Sequence, residues 1–367
     1  MQKNYKEKYL KPYAVKSINS KGRIYKEPTS SIRSPYQRDR DRIIHSTSFR
    51  RLKHKTQVFV NAEGDHYRTR ITHSMEVSQI ARTLARSLGL NEDLSETLSL
   101  SHDLGHTPFG HAGEEVLAEC MNGYGGFDHN IQTLRIVTLI ENKYYKFYGL
   151  NLTIETLDGL IKHNGPIKNQ TFLKQILKKD LFNSKITFNT YPSLEAQIAS
   201  ISDDIAYNNH DLEDGLRAGL FTIKEFSSLS FISKLINKHV KRMNNFKKEI
   251  IISQIVRDLI NLMVVDVINT TNKNLRKSNP QSINDIYKQD HFIVDFSNKV
   301  KMIDKQIKVF LKRHMYNHKK VIANTNRGKR IIKDLFKYLL KNPRKHINND
   351  MFKNEHKERV IADFIAG

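Results

Sequence analysis

An all-helical fold is what this sequence predicts, on three observations. Apolar residues recur at three- and four-residue steps, the mark of a helix face turned toward a core. Alternating apolar–polar runs that would mark strands are few. Glycine and proline punctuate the periodic stretches, as at Gly89 and again at Gly105, Pro108 and Gly110.

The elements follow in order. Residues 1–34 form an N-terminal extension, residues 35–220 a helical core, and residues 221–367 an appended basic helical region. Within the core, His73, Val77, Ile80 and Leu84 make one stripe of an amphipathic helix that ends near Gly89. Leu94, Leu98 and His102 stack at four-residue steps on the next helix, so both histidines point inward with their apolar neighbours. After the Gly105–Gly110 break a new helix begins near His111 and sets His111 and Glu114 side by side. Asn122 to Gly126 reads as a flexible loop, and the Lys/Asn-rich stretch 168–190 as a peripheral excursion. Pro192 to Glu195 opens another helix with Leu194, Ile198, Ile201 and Ile205 as its apolar stripe. Asp203, Tyr207 and Asp211 run down a neighbouring face of it. Beyond Phe221 the helices are basic and amphipathic, with loops near Asn279-Pro280 and Asn342-Pro343.

Composition narrows the class. A chain of 367 residues can bury a substantial core. Its net charge of +23 is uneven: from Phe221 onward there are 31 Lys/Arg against 13 Asp/Glu, and before it 30 against 25. Two readings of the basic half stand, attraction to nucleotides or single-stranded nucleic acid, and a Lys/Asn/Ile-rich composition solvated on helix surfaces. Cys120 is the only cysteine, so a disulfide scaffold is excluded. The polar start carries no secretory signal, and the apolar stretch from Ile250 to Ile268 is broken by Gln254, Arg257, Asp258, Asn261 and Asp266. A cytoplasmic protein is expected, with no membrane partner. No repeat and no GxxxxGK phosphate loop is present.

Chemistry concentrates between Ser101 and Glu114, where His102, Asp103, His106, His111 and Glu114 crowd into one short run. An imidazole beside a carboxylate suits a divalent first-row metal. His73, His102, Asp103 and Asp203 would hold one such ion and leave positions open for water and a phosphate oxygen. That donor set suits Mn²⁺, Fe²⁺, Co²⁺, Ni²⁺ or Zn²⁺, and Mg²⁺ less well. His111, oriented by Glu114, would be the proton-transfer residue. His106 either binds phosphate or braces the loop. A single histidine on an apolar stripe is usually a satisfied core group, and Tyr207 on a helix face is usually packing; the combination carries the weight.

These residues carry a resemblance. Four stretches match in order: Arg38-Asp-Arg-Asp-Arg-Ile-Ile-His-Ser46 running on through Phe49 to Gln57, Arg68 to His73, His102 to Glu114, and Ser193 to Tyr207. Together they cover roughly residues 35–220, and the chain resembles the HD-domain deoxynucleoside triphosphate triphosphohydrolases, the dGTPase type. The resemblance implies a helical HD fold that hydrolyses a dNTP to deoxynucleoside and inorganic triphosphate. It assigns His73, His102, Asp103 and Asp203 as ligands of one metal; Asp204 is the neighbouring alternative, and the helical phase to Tyr207 and Asp211 favours Asp203. It assigns His111, Glu114 and His129 to catalysis and Arg70 to phosphate. Gln57 is aligned with a position that reads the sugar or base. Tyr207 and Asp211 match residues that pack on the deoxyribose and bind its 3′-hydroxyl, and Lys162-His163 resembles an element expected to touch phosphate. It further implies a homo-oligomer, and an activating nucleotide as in some relatives. Family members continue past Asp363-Phe-Ile-Ala-Gly367 with a short segment, so substrate contacts made by that segment are expected to be missing. Two other functions compete: an HD-type nucleotidase or phosphodiesterase, and a weakened dNTP sensor or single-stranded nucleic-acid binder.

Overall fold

The computed structural model describes residues 5–57, 68–177, 179–230, 233–242, 245–352 and 355–367. Helix α1 (Pro35–Ile44) starts at a capping box, with the Ser34 hydroxyl accepting from Gln37 N, the Gln37 side chain returning to Ser34 N, and Pro35 in the first turn. Helix α2 (Arg70–Leu88) stops where Gly89 takes the left-handed conformation at φ 69°. Asn91 caps α3 (Glu92–Ser101), and Glu92 and Asp93 in its first turn favour the positive end of the helix dipole. Then come α4 (Gly110–Cys120), α5 (His129–Arg135, capped by Asp128) and α6 (Ile154–Ile161, capped by Thr153). Ser193 caps the long α7 (Leu194–Arg217). The basic region supplies α8 (Lys248–Ser278), α9 (Asn298–Leu311), α10 (Lys319–Lys341) and α11 (Lys357–Ala366), with shorter helices between them. Among the described residues extended pairing is limited to isolated bridges, one of which joins Thr56 to Thr69. No described helix is long and apolar enough to cross a membrane.

Three hydrophobic clusters organise these helices. The largest joins Val77, Ile80 and Leu84 of α2 to Ile198 and Ile205 of α7, Ile255, Leu259 and Met263 of α8, and Ile303 and Ile307 of α9. Side chains buried this fully are each worth about 1.5–3 kcal/mol relative to exposure. The second cluster unites Ile43, Leu94, Leu98, Leu134 and Leu157. In the third, Val116 and Leu117 of α4 meet Ile332 and Phe336 of α10 and Ile361 and Ile365 of α11. The basic region therefore wraps the core from two sides.

Two expectations change. The stretch 168–190 is not a peripheral excursion, because Leu173, Leu177, Leu181, Ile186 and Phe188 are buried in the second cluster and outweigh its polar composition. The Asn122–Gly126 loop is tied down, with the Arg359 guanidinium donating to the carbonyls of Tyr124 at 2.9 Å and Gly126 at 2.7 Å.

A second arginine clamps α5 to α11. Arg135, 1% exposed, meets both oxygens of Asp363 at 2.9 and 2.6 Å and donates to the Ile176 carbonyl at 2.6 Å. Asp363→Ala removes the bidentate partner of a buried guanidinium and leaves it the partly exposed Glu355 at 3.3 Å, so it should cost about 3 kcal/mol in chemical denaturation. A cost under about 1 kcal/mol would mean that the pair is idle.

Candidate active site and metal centre

The loop between α3 and α4 places the first histidines. His102 ends α3, and its Nδ1 lies 2.6 Å from the Ser99 carbonyl, which leaves Nε2 facing inward. Gly105 lets α5 approach: a Cβ there would stand 2.1 Å from His129 O and 2.3 Å from Thr133 N. Only a residue without a side chain permits that contact, and it brings His129 to the His102 loop. Phe109 precedes α4 at φ 64°, a strained value for a non-glycine residue, and packs into the third cluster close against Gly328 of α10.

His73, His102 and Asp203 converge from α2, α3 and α7, their ligand atoms within 4.8 Å of one another. His73 Nε2 lies 2.9 Å and His102 Nε2 3.5 Å from Asp203 Oδ1. Asp103 flanks them, with Oδ1 3.4 Å from His102 Nε2 and Oδ2 2.7 Å from Arg70 Nη1. His163 stacks on His102 at 5.7 Å, its Nε2 4.0 Å from Asp203. Asp204, the neighbouring alternative, turns outward to Lys308 at 2.9 Å.

The donors suit a divalent cation. His102 Nε2 is buried with no hydrogen-bond partner, a lone-pair position that in a dry interior calls for an ion or a proton. Burial would raise the Asp203 carboxyl, but His102 and His73 outweigh it and hold it well below the usual range. Asp103 is held down likewise, burial being overcome by Arg70, His102 and His106. Against its own burial, the His102 ring is pushed up to about 9 by those same two carboxylates. This concentration of negative charge around buried imidazole nitrogens is what a cation neutralises.

A second group lies beside the first. Glu114 bridges two rings, with Oε2 3.2 Å from His111 Nδ1 and Oε1 2.8 Å from His129 Nδ1. Burial works against its charge, yet the hydrogen bonds from His111 and His129 keep the carboxyl far below the ordinary glutamate value. Burial also opposes the charge on His129, but the hydrogen bond and the charge of Glu114 win and raise it. His106 joins through Nε2, 3.1 Å from Asp103 Oδ1, and stacks on His129 at 4.0 Å and 18° from parallel. The atoms of His106, His111, Glu114 and His129 are close enough for a metal. Both carboxylate oxygens of Glu114 already meet an imidazole Nδ1, and His111 stands 75° and 74° from the stacked rings of His106 and His129.

Tyr207 and Asp211 extend the site along α7, and α9 leads into the residue that ties them together. The Tyr316 hydroxyl donates its one proton to Asp211 Oδ2 and lies 2.9 Å from Tyr207 Oη, from which its oxygen accepts. Burial, against the Tyr316 hydrogen bond, pushes the Asp211 carboxyl up to about 7. Its folded value thus exceeds the unfolded one near 4, and its stabilising contribution is complete below that pH and lost as pH rises through about 7. Asp211→Asn should remove this slope from denaturation midpoints measured between pH 4 and pH 8; an unchanged slope would assign it to other groups.

Gln57 sits with Nε2 3.4 Å from His73 Nδ1, held in place because Arg70 N donates to the Lys55 carbonyl at 2.9 Å. Lys162 is not brought to the cluster: it is 1% exposed, and its ammonium is engaged by Asp158 at 2.6 Å and Thr190 at 2.8 Å. Three neighbours went unread in the sequence: Tyr316, Lys55 and His210. His210 has a visible signal, since it lies seven residues after Asp203 and shares its helix face. Tyr316 and Lys55 have none.

Fold and site together define a phosphohydrolase of the HD class: residues 70–208 match the HD domain, and residues 294–367 match the phosphohydrolase-associated domain. The chain belongs to the family of deoxyguanosinetriphosphate triphosphohydrolase-like proteins. It is 57% identical to the member from Pelagibacter ubique over 348 residues, 95% of this chain and 94% of that one. With the Bartonella henselae protein the identity is 47% over 376 residues, covering 99% and 93%. With that of Parvibaculum lavamentivorans it is 46% over 371 residues, covering 97% and 92%.

Proposed function

We propose that this protein hydrolyses a deoxynucleoside triphosphate to the deoxynucleoside and inorganic triphosphate. The observation that carries the reading is the adjacency of a cation-ready His73–His102–Asp203 cluster and a Glu114-bridged His111–His129 pair. Asp103 would complete the ligand set from beside His102. A divalent cation there supplies Lewis-acid polarisation of a phosphoryl oxygen and helps to acidify an attacking water.

The remaining roles fall to the protein. A triphosphate carries about four negative charges, and Arg70, which reaches the cluster through Asp103, is the guanidinium placed to meet them. His106 and His163 line the same chamber. Water adds at the α-phosphorus and releases one proton, the bond to the 5′-oxygen breaks, and a protonated His111 gives the departing oxygen a proton that the released one replaces, while Glu114 fixes the ring. Tyr207, with Tyr316 behind it and Asp211 beside it, offers a ring for the deoxyribose and a carboxylate for its 3′-hydroxyl. A ring packed that closely would crowd a 2′-hydroxyl. Lys162 takes no part; it braces Asp158.

Product analysis tests this. Purified protein is incubated with each dNTP in turn and in mixtures, with Mn²⁺, Co²⁺ or Mg²⁺ supplied, and the products are separated by chromatography. Deoxynucleoside together with intact triphosphate is the expected outcome. Release of monophosphate and pyrophosphate, or no turnover with any ion, overturns the proposal.

A further inference from the structure

His210 has no part in the reaction just outlined, yet it is 2% exposed and touches the metal cluster from behind. Its Nδ1 lies 3.3 Å from Nδ1 of His73, and its Nε2 lies 3.0 Å from Glu76 Oε2. The two rings meet edge to face, 5.5 Å between centroids and at 87°. Glu76 is held in turn by Arg68 at 2.9 Å, and Arg68 also grips Glu213 at 2.6 Å and Asp214 at 3.1 Å. A continuous line of polar contacts thus runs from a half-exposed carboxylate to the far side of His73.

The protons on that line are determined by what each partner can do. His73 directs Nε2 at Asp203 and the cluster, 2.9 Å away. An imidazole binds a cation through a lone pair, so a neutral His73 offering Nε2 carries its proton on Nδ1. In a buried site that proton needs an acceptor. His210 Nδ1 is an acceptor only when the His210 proton sits on Nε2. There it meets Glu76, a carboxylate that accepts and cannot donate. Each step admits one tautomer. The other neighbour of His73 Nδ1 is the Gln57 amide nitrogen at 3.4 Å, a donor, while Gln57 Oε1 is buried without a hydrogen-bond partner. Gln57 would have to turn its amide to serve, whereas His210 is already in position.

We propose that His210 is a positioning residue of the metal centre: it accepts the Nδ1 proton of His73, passes its own proton toward Glu76, and so fixes His73 in the one tautomer and ring pose that offers Nε2 to a cation. The inference rests on His73 being a ligand, as in the preceding section. It adds a support that no ligand list contains, of the kind whose loss weakens metal affinity about 10- to 100-fold.

The test uses the full chain without nucleotide, so it reads metal binding rather than turnover. Metal-free protein is titrated with Co²⁺, followed by its visible spectrum, and with Mn²⁺, followed by the electron-spin signal of the free ion. His210→Phe keeps a ring but has no nitrogen, and both dissociation constants should rise about 10- to 100-fold. His210→Gln, whose side-chain carbonyl can accept the same proton, should recover part of that loss; a merely space-filling role would make phenylalanine the better substitute. Should His210→Phe fail to fold, ¹⁵N-histidine spectra of the zinc-loaded native chain decide, with His210 expected as the Nε2–H tautomer. A His210 proton found on Nδ1, or dissociation constants unmoved in His210→Phe, overturns the proposal. A native-strength site in His73→Ala would instead remove the ligand assignment, and this inference with it. Absence of dNTP hydrolysis in a protein that still binds metal through His73 touches only the proposed reaction.

Discussion

Asp203→Ala and His102→Ala should each abolish metal binding and lower turnover by at least about three orders of magnitude. The size follows from position. His73, His102 and Asp203 each offer one candidate ligand atom from three different elements, within 4.8 Å of one another, so removing one leaves the proposed site incomplete. Asp204 faces Lys308 on the outer surface, and Asp103, proposed as a ligand in its own right beside His102, is not a spare one. Losing several kcal/mol of charge stabilisation at a phosphoryl oxygen corresponds to that drop in rate. Elemental analysis of dialysed protein and dNTP turnover measured on the same samples check it. Far-ultraviolet circular dichroism should be unchanged in Asp203→Ala, because the Asp203 side chain is partly exposed. A variant that retains its metal and most of its rate would show that the centre lies elsewhere.

Glu114→Gln should cost about 10²–10⁴ in turnover while leaving the bound metal in place. Glu114 links two rings: one oxygen is 3.2 Å from His111 and the other 2.8 Å from His129. An amide cannot supply a charge to both rings, so His129 loses the carboxylate that raises it, and His111, 68% exposed on its side chain, loses the group that fixes its orientation. His111→Ala should fall in the same range, and the double variant little further, because the two act as one unit. The expected outcome differs from that of Asp203→Ala: metal content stays intact and proton transfer is lost. Equal loss of metal in Glu114→Gln would instead make this group part of the cation site.

The stripe from His73 to Leu84 and the helix from Leu194 with Asp203, Tyr207 and Asp211 on one face were legible, because helical periodicity states which side chains share a face without any knowledge of the neighbours. The four-residue steps also set Asp203 apart from Asp204, which the structure turns to Lys308. Composition misled where apolar residues were sparse: residues 168–190 look solvated, yet a few leucines and phenylalanines suffice to anchor them in a core. Lys162 is the opposite case, a cation beside a histidine in the sequence whose helix turns it into a buried pair with Asp158.

What the sequence settled by itself is local: where Gly89 ends one helix and Ser193 begins another, and which histidines and carboxylates share a face with apolar neighbours. Those properties depend on steps of a few residues along one backbone. Which faces meet was decided only by tertiary packing. Tyr316 reaches Asp211 across 105 positions, Arg135 reaches Asp363 across 228, and Lys55 donates to the Ala366 carbonyl across 311. Contacts of that span arise because burying three apolar clusters at once leaves one arrangement of the helices, and no periodicity in the chain records its outcome.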